Sequence, residues 1–319
     1  MRCTLTAIVM VAMALLTACN DRAKGLKPRS GGDPNDVVVT GGDTTAVAAV
    51  AAILSGIDAE GLPQREAAFD VKVVKNGIGP IEKYARCIVI ADFADEGNGR
   101  TRIRYERDVY ARHQIVVSVS SPSVEQLVAD AAQTARSLKG LIGRFETGAE
   151  LARLKKARNH AAEKAIDSIT GHTIWVPEDM TAMKRGKDFV WISDNSATAM
   201  RNICVYTYPG TATDKARMLR MRDSVMRANI PGREPQMHMT TATDPAPTVR
   251  AINYDGRHKQ VMRGLWEMYG DAMGGPFVSH SLTDSAKGRT VVAEAFVYAP
   301  GKKKRDLIGR LEAALHTLK

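Results

Sequence analysis

The chain has 319 residues, 44% hydrophobic and 5% aromatic, with a formal net charge of +10. That length and apolar content suffice for one large core or two modest ones, and after one N-terminal segment no apolar run approaches a membrane span. So few aromatic rings give stacked bases few platforms, which removes nucleic acid from the expected partners.

The first element in chain order is the apolar run from Thr4 to Ala18, most of it in "AIVMVAMALLTACNDR". It is shorter than the roughly 18 to 20 residues a bilayer core requires, and only Arg2 precedes it as a charge, so residues 1–18 read as a signal peptide. Leu16-Thr17-Ala18-Cys19 has the form of a bacterial lipobox, in which an aliphatic and two small residues lead to a cysteine whose thiol accepts diacylglycerol. Each buried methylene contributes about 0.8 kcal/mol, so two or three acyl chains on Cys19 would anchor the protein almost irreversibly. Residues 19–36 are rich in glycine, proline, serine and charge and read as a flexible tether. Loss of Arg2 with the signal leaves +9, a surplus that suits anionic headgroups, glycans or acidic proteins, and equally a solvated basic surface.

Beyond the tether, strands alternate with helices. Val37 to Thr40 is a β-branched run closed by Gly41-Gly42, and Asp43 or Thr44 is placed to cap a helix through about Ser55. Phe69 to Val74, Ile88 to Phe93, Thr101 to Asp108 and Gln114 to Ser120 read as strands. Ser121-Pro122 then opens a helical stripe of Val124, Leu127, Ala131, Leu138, Leu141, Ile142 and Phe145, which Gly148 is expected to break. A second helix is expected from Ala149 to about Ser168. His172 to Val176, Asp188 to Ser193 and Asn202 to Tyr208 are strand candidates, followed by a helix from Thr213 to Ala228. Val249 to Tyr254, Phe277 to Leu282 and Arg289 to Tyr298 are further strands, and a terminal helix places Leu307, Ile308, Leu311, Ala314, Leu315 and Leu318 on one side. The pattern is α+β, with antiparallel or mixed sheets packed with helices in an N-terminal half at 37–170 and a C-terminal half at 171–319. A short likeness between "ARCIVIADF" and "MRNICVYTY" adds two related α/β halves as one arrangement to test.

The stretches "GLPQREAAFDV", "FVWISD", "RNICVYTYPG", "MRDSVMRANIPG", "RGLWEMYGDAMGGPFVSHSLTD" and "FVYAPGKKKRDLIGRLEAALHTLK" resemble, in this order, a family of bacterial lipoproteins known from the Bacteroidetes, domain of unknown function 4837. The resemblance runs from about Val37 to Lys319 and is most specific around Trp266 to Asp284 and Phe296 to Lys319. It implies an envelope lipoprotein and brings no reaction, ligand or catalytic residue.

The remaining candidates stand on their own residues. Gly274-Gly275-Pro276 suits a backbone nest for an anion beside Ser279, His280, Ser281 and Asp284, and equally a tight turn feeding a strand. Those four alternate between strand faces, so they cannot form a triad among themselves. Exposure of Trp266, Tyr269 and Met273 beside Gly274 and Gly275 would complete a binding surface with His280 and Asp284. Lys302, Lys303, Lys304 and Arg305 place positive charge at a helix start, against its dipole, where contact with anionic headgroups competes with a solvated helix start. No metal is expected: the histidines show no pair at i, i+4, and Met218, Met221, Met226, Met237 and Met239 read as core filler around His238. No cofactor is expected either. The compartment permits a Cys87–Cys204 disulfide, while both lie in apolar strand-like runs where free thiols pack as small hydrophobes. The expectation is a lipid-anchored protein on the periplasmic face of the outer membrane, a non-catalytic binding or assembly module for an unidentified envelope protein or ligand. The alternative is an envelope hydrolase acting on glycan, lipid or peptide, which would show a deep cleft holding His280 with an acid and a serine in reach.

Overall fold

The computed structural model describes residues 27–75, 77–94, 97 and 99–319. The expected signal peptide and Cys19 lie outside them. Residues 28–31, read from sequence as tether, are paired: Arg112 N donates to Pro28 O (2.8 Å), Gly31 N to Tyr84 O (2.9 Å) and Arg86 N to Gly31 O (2.8 Å).

The N-terminal half is built on a five-stranded sheet of β1 (Asp36–Thr40), β2 (Asp70–Val73), β3 (Cys87–Phe93), β4 (Arg102–Arg107) and β5 (Ile115–Ser121), ordered β2-β1-β3-β5-β4. Only the β4–β5 pair is antiparallel. After β1 the chain turns through Gly41 into α1 (Thr44–Ser55). A Cβ on Gly41 would lie 2.0 Å from Ala91 O, so only glycine lets β1 and β3 run this close. Asp43 caps α1 by accepting from Thr45 N (2.8 Å) and Ala46 N (3.0 Å). Asp92 accepts from Gly42 N (2.7 Å), which puts a carboxylate where a phosphate-binding turn would put its ligand.

The stripe starting at Val124 divides at Asp130 into α2 (Val124–Ala129) and α3 (Ala131–Leu154). Gly148 does not end α3: glycine inside a helix costs only about 1 kcal/mol, and Phe145, Ile142 and Leu138 already pack on the sheet. The break falls at Asn159, whose side chain accepts from Ala162 N (3.0 Å) to start α4 (His160–Thr170). The expected strand at His172 to Val176 is irregular chain, joined to the C-terminus by two Thr173–Lys319 backbone bonds of 3.0 Å each.

An eight-stranded antiparallel sheet forms the C-terminal half: β6 (Ala182–Arg185), β7 (Phe189–Ser193), β8 (Met200–Pro209), β9 (His238–Thr241), β10 (Thr248–Tyr254), β11 (Arg257–Tyr269), β12 (Gly274–Asp284) and β13 (Arg289–Tyr298). The order is β10-β11-β12-β13-β8-β7-β6, with β9 also on β11. The chain is therefore α+β with two sheets, and their topologies differ, so the halves are not copies of one plan. Strand alternation divides the second sheet cleanly. Val205, Val278 and Val291 face α4 and the terminal helix α6 (Arg305–Leu315), whereas Tyr206, Trp266, Phe277 and Phe296 face α5 (Lys215–Asn229) with Met218 and Met226.

Two charged clusters bind this frame. Between α5 and the sheet, Arg222 of α5 and Glu294 of β13 form a buried ion pair (2.7 Å), with Arg222 Nη1 donating to Thr241 Oγ1 (2.6 Å) and the guanidinium 3.8 Å from the Phe277 ring. Between the halves, Glu66 accepts from Lys304 N (2.9 Å) and Arg305 N (3.0 Å), so a carboxylate of one half caps α6 of the other. Arg305 Nη2 also donates to Asp70 (2.6 Å) and Nη1 to Ala67 O (2.9 Å). The expected headgroup cluster is thus divided. Lys302 and Lys303 are exposed, but Lys304 and Arg305 are only 4% and 8% exposed and serve the junction.

Removing one partner of a buried ion pair strands the other charge. Glu294→Ala is therefore expected to lower unfolding stability by about 3 to 5 kcal/mol in urea titration, while the double variant Arg222→Met/Glu294→Leu recovers most of it.

Candidate functional site

A cleft of about 1450 Å³ opens between the halves. α3 lines it from the N-terminal half, and β10, β11 and α6 line it from the C-terminal half, with Arg29 to Asn35 at its edge. Leu62, Val261 and Ile308 contribute apolar surface. Arg112, Arg144, Lys156 and Arg310 also line it, all exposed and, among the described residues, without a carboxylate partner.

The C-terminal wall carries the densest group of titratable side chains. On β11, Lys259, Val261 and Arg263 point to the same face, and His280 of β12 stands opposite Val261 on that face. Glu312 of α6 and His316, the residue that ends that helix one turn later, descend onto them. Donor atoms of His280, Glu312 and His316 lie within 4.8 Å of one another. Arg263 donates to Glu312 Oε1, which also sits 3.5 Å from His280 Nε2. Lys259 Nζ donates to His316 O (2.8 Å), and the His316 ring stacks on Tyr254 at 4.1 Å. Nδ1 of His280 and Nδ1 of His316 are both buried without a hydrogen-bond partner among the described residues.

Electrostatics follow from burial. Burial pushes the His280 imidazole down and holds that of His316 at about 4, with His280, Lys259 and Arg263 adding to the effect on His316. Burial alone would raise the Glu312 carboxyl, but Arg263 and His280 hold it well below the usual carboxylate range. Burial also lowers the Lys259 ammonium to about 8. At neutral pH the group is two neutral imidazoles and a carboxylate, flanked by two cations.

The surface expected around Trp266 does not assemble. Trp266 is 2% exposed against α5, its Nε1 donating to Val297 O (3.1 Å), whereas His280 is buried on the opposite face of the sheet. Gly275 serves that packing and no anion nest: a Cβ there would lie 2.1 Å from Val297 O, and Gly274 is paired with Glu267 in the same ladder. Met273 packs against the α5-side core, and Tyr269, 60% exposed, stacks on His238. Asp284 caps a short turn and pairs with Arg289 (2.9 Å). Cys87 and Cys204 are buried free thiols in different sheets, and burial raises both. Met218, Met226 and Met239 are core residues.

His280 does meet an acid behind the cleft wall, but the serines the hydrolase alternative needs, Ser279 and Ser281, point to the other face of β12. Glu312 and His316 escaped the sequence reading because the spacing test asked for two histidines. A carboxylate and an imidazole at i, i+4 on the terminal helix were the available signal, and only topology brings His280 to them.

Residues 159–317 match the family Domain of unknown function (DUF4837), and residues 30–156 match Domain of unknown function (DUF8532). The family resemblance thus holds for the C-terminal half, while the N-terminal half matches a different family. No curated protein matches the sequence. Among solved structures, a point mutant of the protein Mog1 is 10% identical with a TM-score of 0.29, covering 46% of this chain and 89% of its own. "Human StarD13 (DLC2) lipid transfer and protein localization domain" is 9% identical at 0.21, covering 50% and 91%. Likeness this slight carries no argument.

The depressed His316 gives a pH dependence with a definite sign. Below pH 6.5 the unfolded chain takes up a proton that the folded chain refuses down to about 4, so stability falls as pH falls through that window. Urea midpoints measured with a chelator present are expected to drop between pH 6.5 and 4.5, and His316→Phe, which keeps the ring stack, is expected to flatten the drop.

Proposed function

Since residues 159–317 of this chain belong to the family Domain of unknown function (DUF4837), whose name assigns no reaction, we propose a function from the geometry. The protein is a lipid-anchored cell-envelope module, facing the periplasm, that binds an anionic ligand with an apolar part in the cleft between its halves. The observation that carries this reading is the set of cations, Arg112, Arg144, Lys156 and Arg310, lining the cleft without carboxylate partners among the described residues. An excess of cations over carboxylates along a concave surface focuses a positive potential that draws and holds an anion. Leu62, Val261 and Ile308 beside them supply the apolar contact that a simple inorganic anion would not use. The lipobox at Leu16 to Cys19 and the basic net charge support placement at an anionic surface.

Calorimetric titration with decyl phosphate and with neutral decyl maltoside, both below their micelle concentrations, tests the cleft. Decyl phosphate is expected to bind, and Arg144→Glu/Arg310→Glu to weaken it at least about tenfold. Equal affinity for the two amphiphiles, or no effect of charge reversal, would refute the reading. For the anchor, Cys19→Ser is expected to move the protein from the membrane to the soluble fraction of cell lysates.

A further inference from the structure

We propose that His280, Glu312 and His316 form a binding site for a divalent metal ion of the zinc type, at the wall of the cleft. The site stands on geometry independent of the cleft's ligand. Two imidazoles and one carboxylate are the donor set of many three-ligand zinc centres, which leave a fourth position open. Here Glu312 and His316 face the cleft, so the open position would face it too. The donor atoms already lie within 4.8 Å of one another. A tetrahedral ion with bonds of roughly 2.0 to 2.1 Å holds its ligands about 3.4 Å apart, so the set must close by up to about 1.4 Å.

Three further observations point to an ion. Nδ1 of His280 and Nδ1 of His316 are buried and unpartnered among the described residues, a state that calls for a missing partner. Glu312 receives Arg263 and His280 on Oε1, while Oε2 makes no hydrogen bond among the described residues. One carboxylate oxygen is therefore oriented by a neighbour and the other is left for ligation, the arrangement by which surrounding groups aim metal ligands. Burial also keeps both imidazoles neutral at neutral pH, the form that binds metals. The opposing charge comes from Arg263 and Lys259. Arg263 stays on Oε1 and is drawn as well by Glu60, and Lys259 is held by the carbonyl of His316.

The test strips the purified full chain with a chelator, reloads it with Zn²⁺ or Co²⁺ and measures bound metal per chain by elemental analysis. One equivalent is expected, with the intense visible absorption of four-coordinate cobalt. His316→Phe preserves the stack on Tyr254 and Glu312→Gln preserves an acceptor for Arg263, so both are designed to fold. Circular dichroism confirms this, and each is expected to weaken binding at least about 100-fold. If the wild-type chain retains no metal, or if both folded variants retain it as the wild type does, the site does not exist.

Discussion

The start of α6 is capped by a carboxylate from the other half. Glu66, in the loop between α1 and β2, accepts the first amides of a helix that begins 239 residues later, and with Asp70 and the Ala67 carbonyl on Arg305 it ties the C-terminal half to the N-terminal half. Everything at the cleft wall inherits that placement. Ile308, Leu311 and Leu315 bury one side of α6 in the second core, while Glu312 and His316 leave the same helix toward β11 and β12. The basic start of α6, unfavourable to its dipole, becomes tolerable because Glu66, Asp70 and Asp306 surround it. Lys304 and Arg305 act as internal ties between halves.

That junction also bears on the two family segments. Their boundary between residues 156 and 159 coincides with the turn that joins α3 to α4, so they are separable as sequences. As folded bodies they are less separable. A C-terminal segment alone would leave α6 uncapped and Arg305 without Asp70 and the Ala67 carbonyl, two half-buried interactions removed from one side.

Much of the secondary structure was legible because it follows period and punctuation. Asp43 caps α1, the Met218 to Met226 spacing gives α5, and the Leu307 to Leu318 stripe gives α6. What failed did so for physical reasons. Gly148 is outweighed by the packing of α3, and β11 was missed because Arg257, His258 and Lys259 open it with charge. The site was less legible still. Trp266 belongs to a core that only a second layer, α5, could complete, and its residues alternate with those of the cleft face. His280 was singled out for a binding surface with Trp266, yet it is buried under α6, and its partners lie 32 and 36 residues away in sequence.

The paired segment at Pro28 to Gly31 has a mechanical consequence. Arg29 bridges Arg112 and Gly31 bridges Ala85, both in parallel sense, and Ser30 Oγ holds His113 O. Tension on the chain from its N-terminal side would load these bonds first, before reaching β1. Arg29, Arg112 and His113 also line the cleft. A pull from that side would thus reach the rim of the cleft before it reached either core.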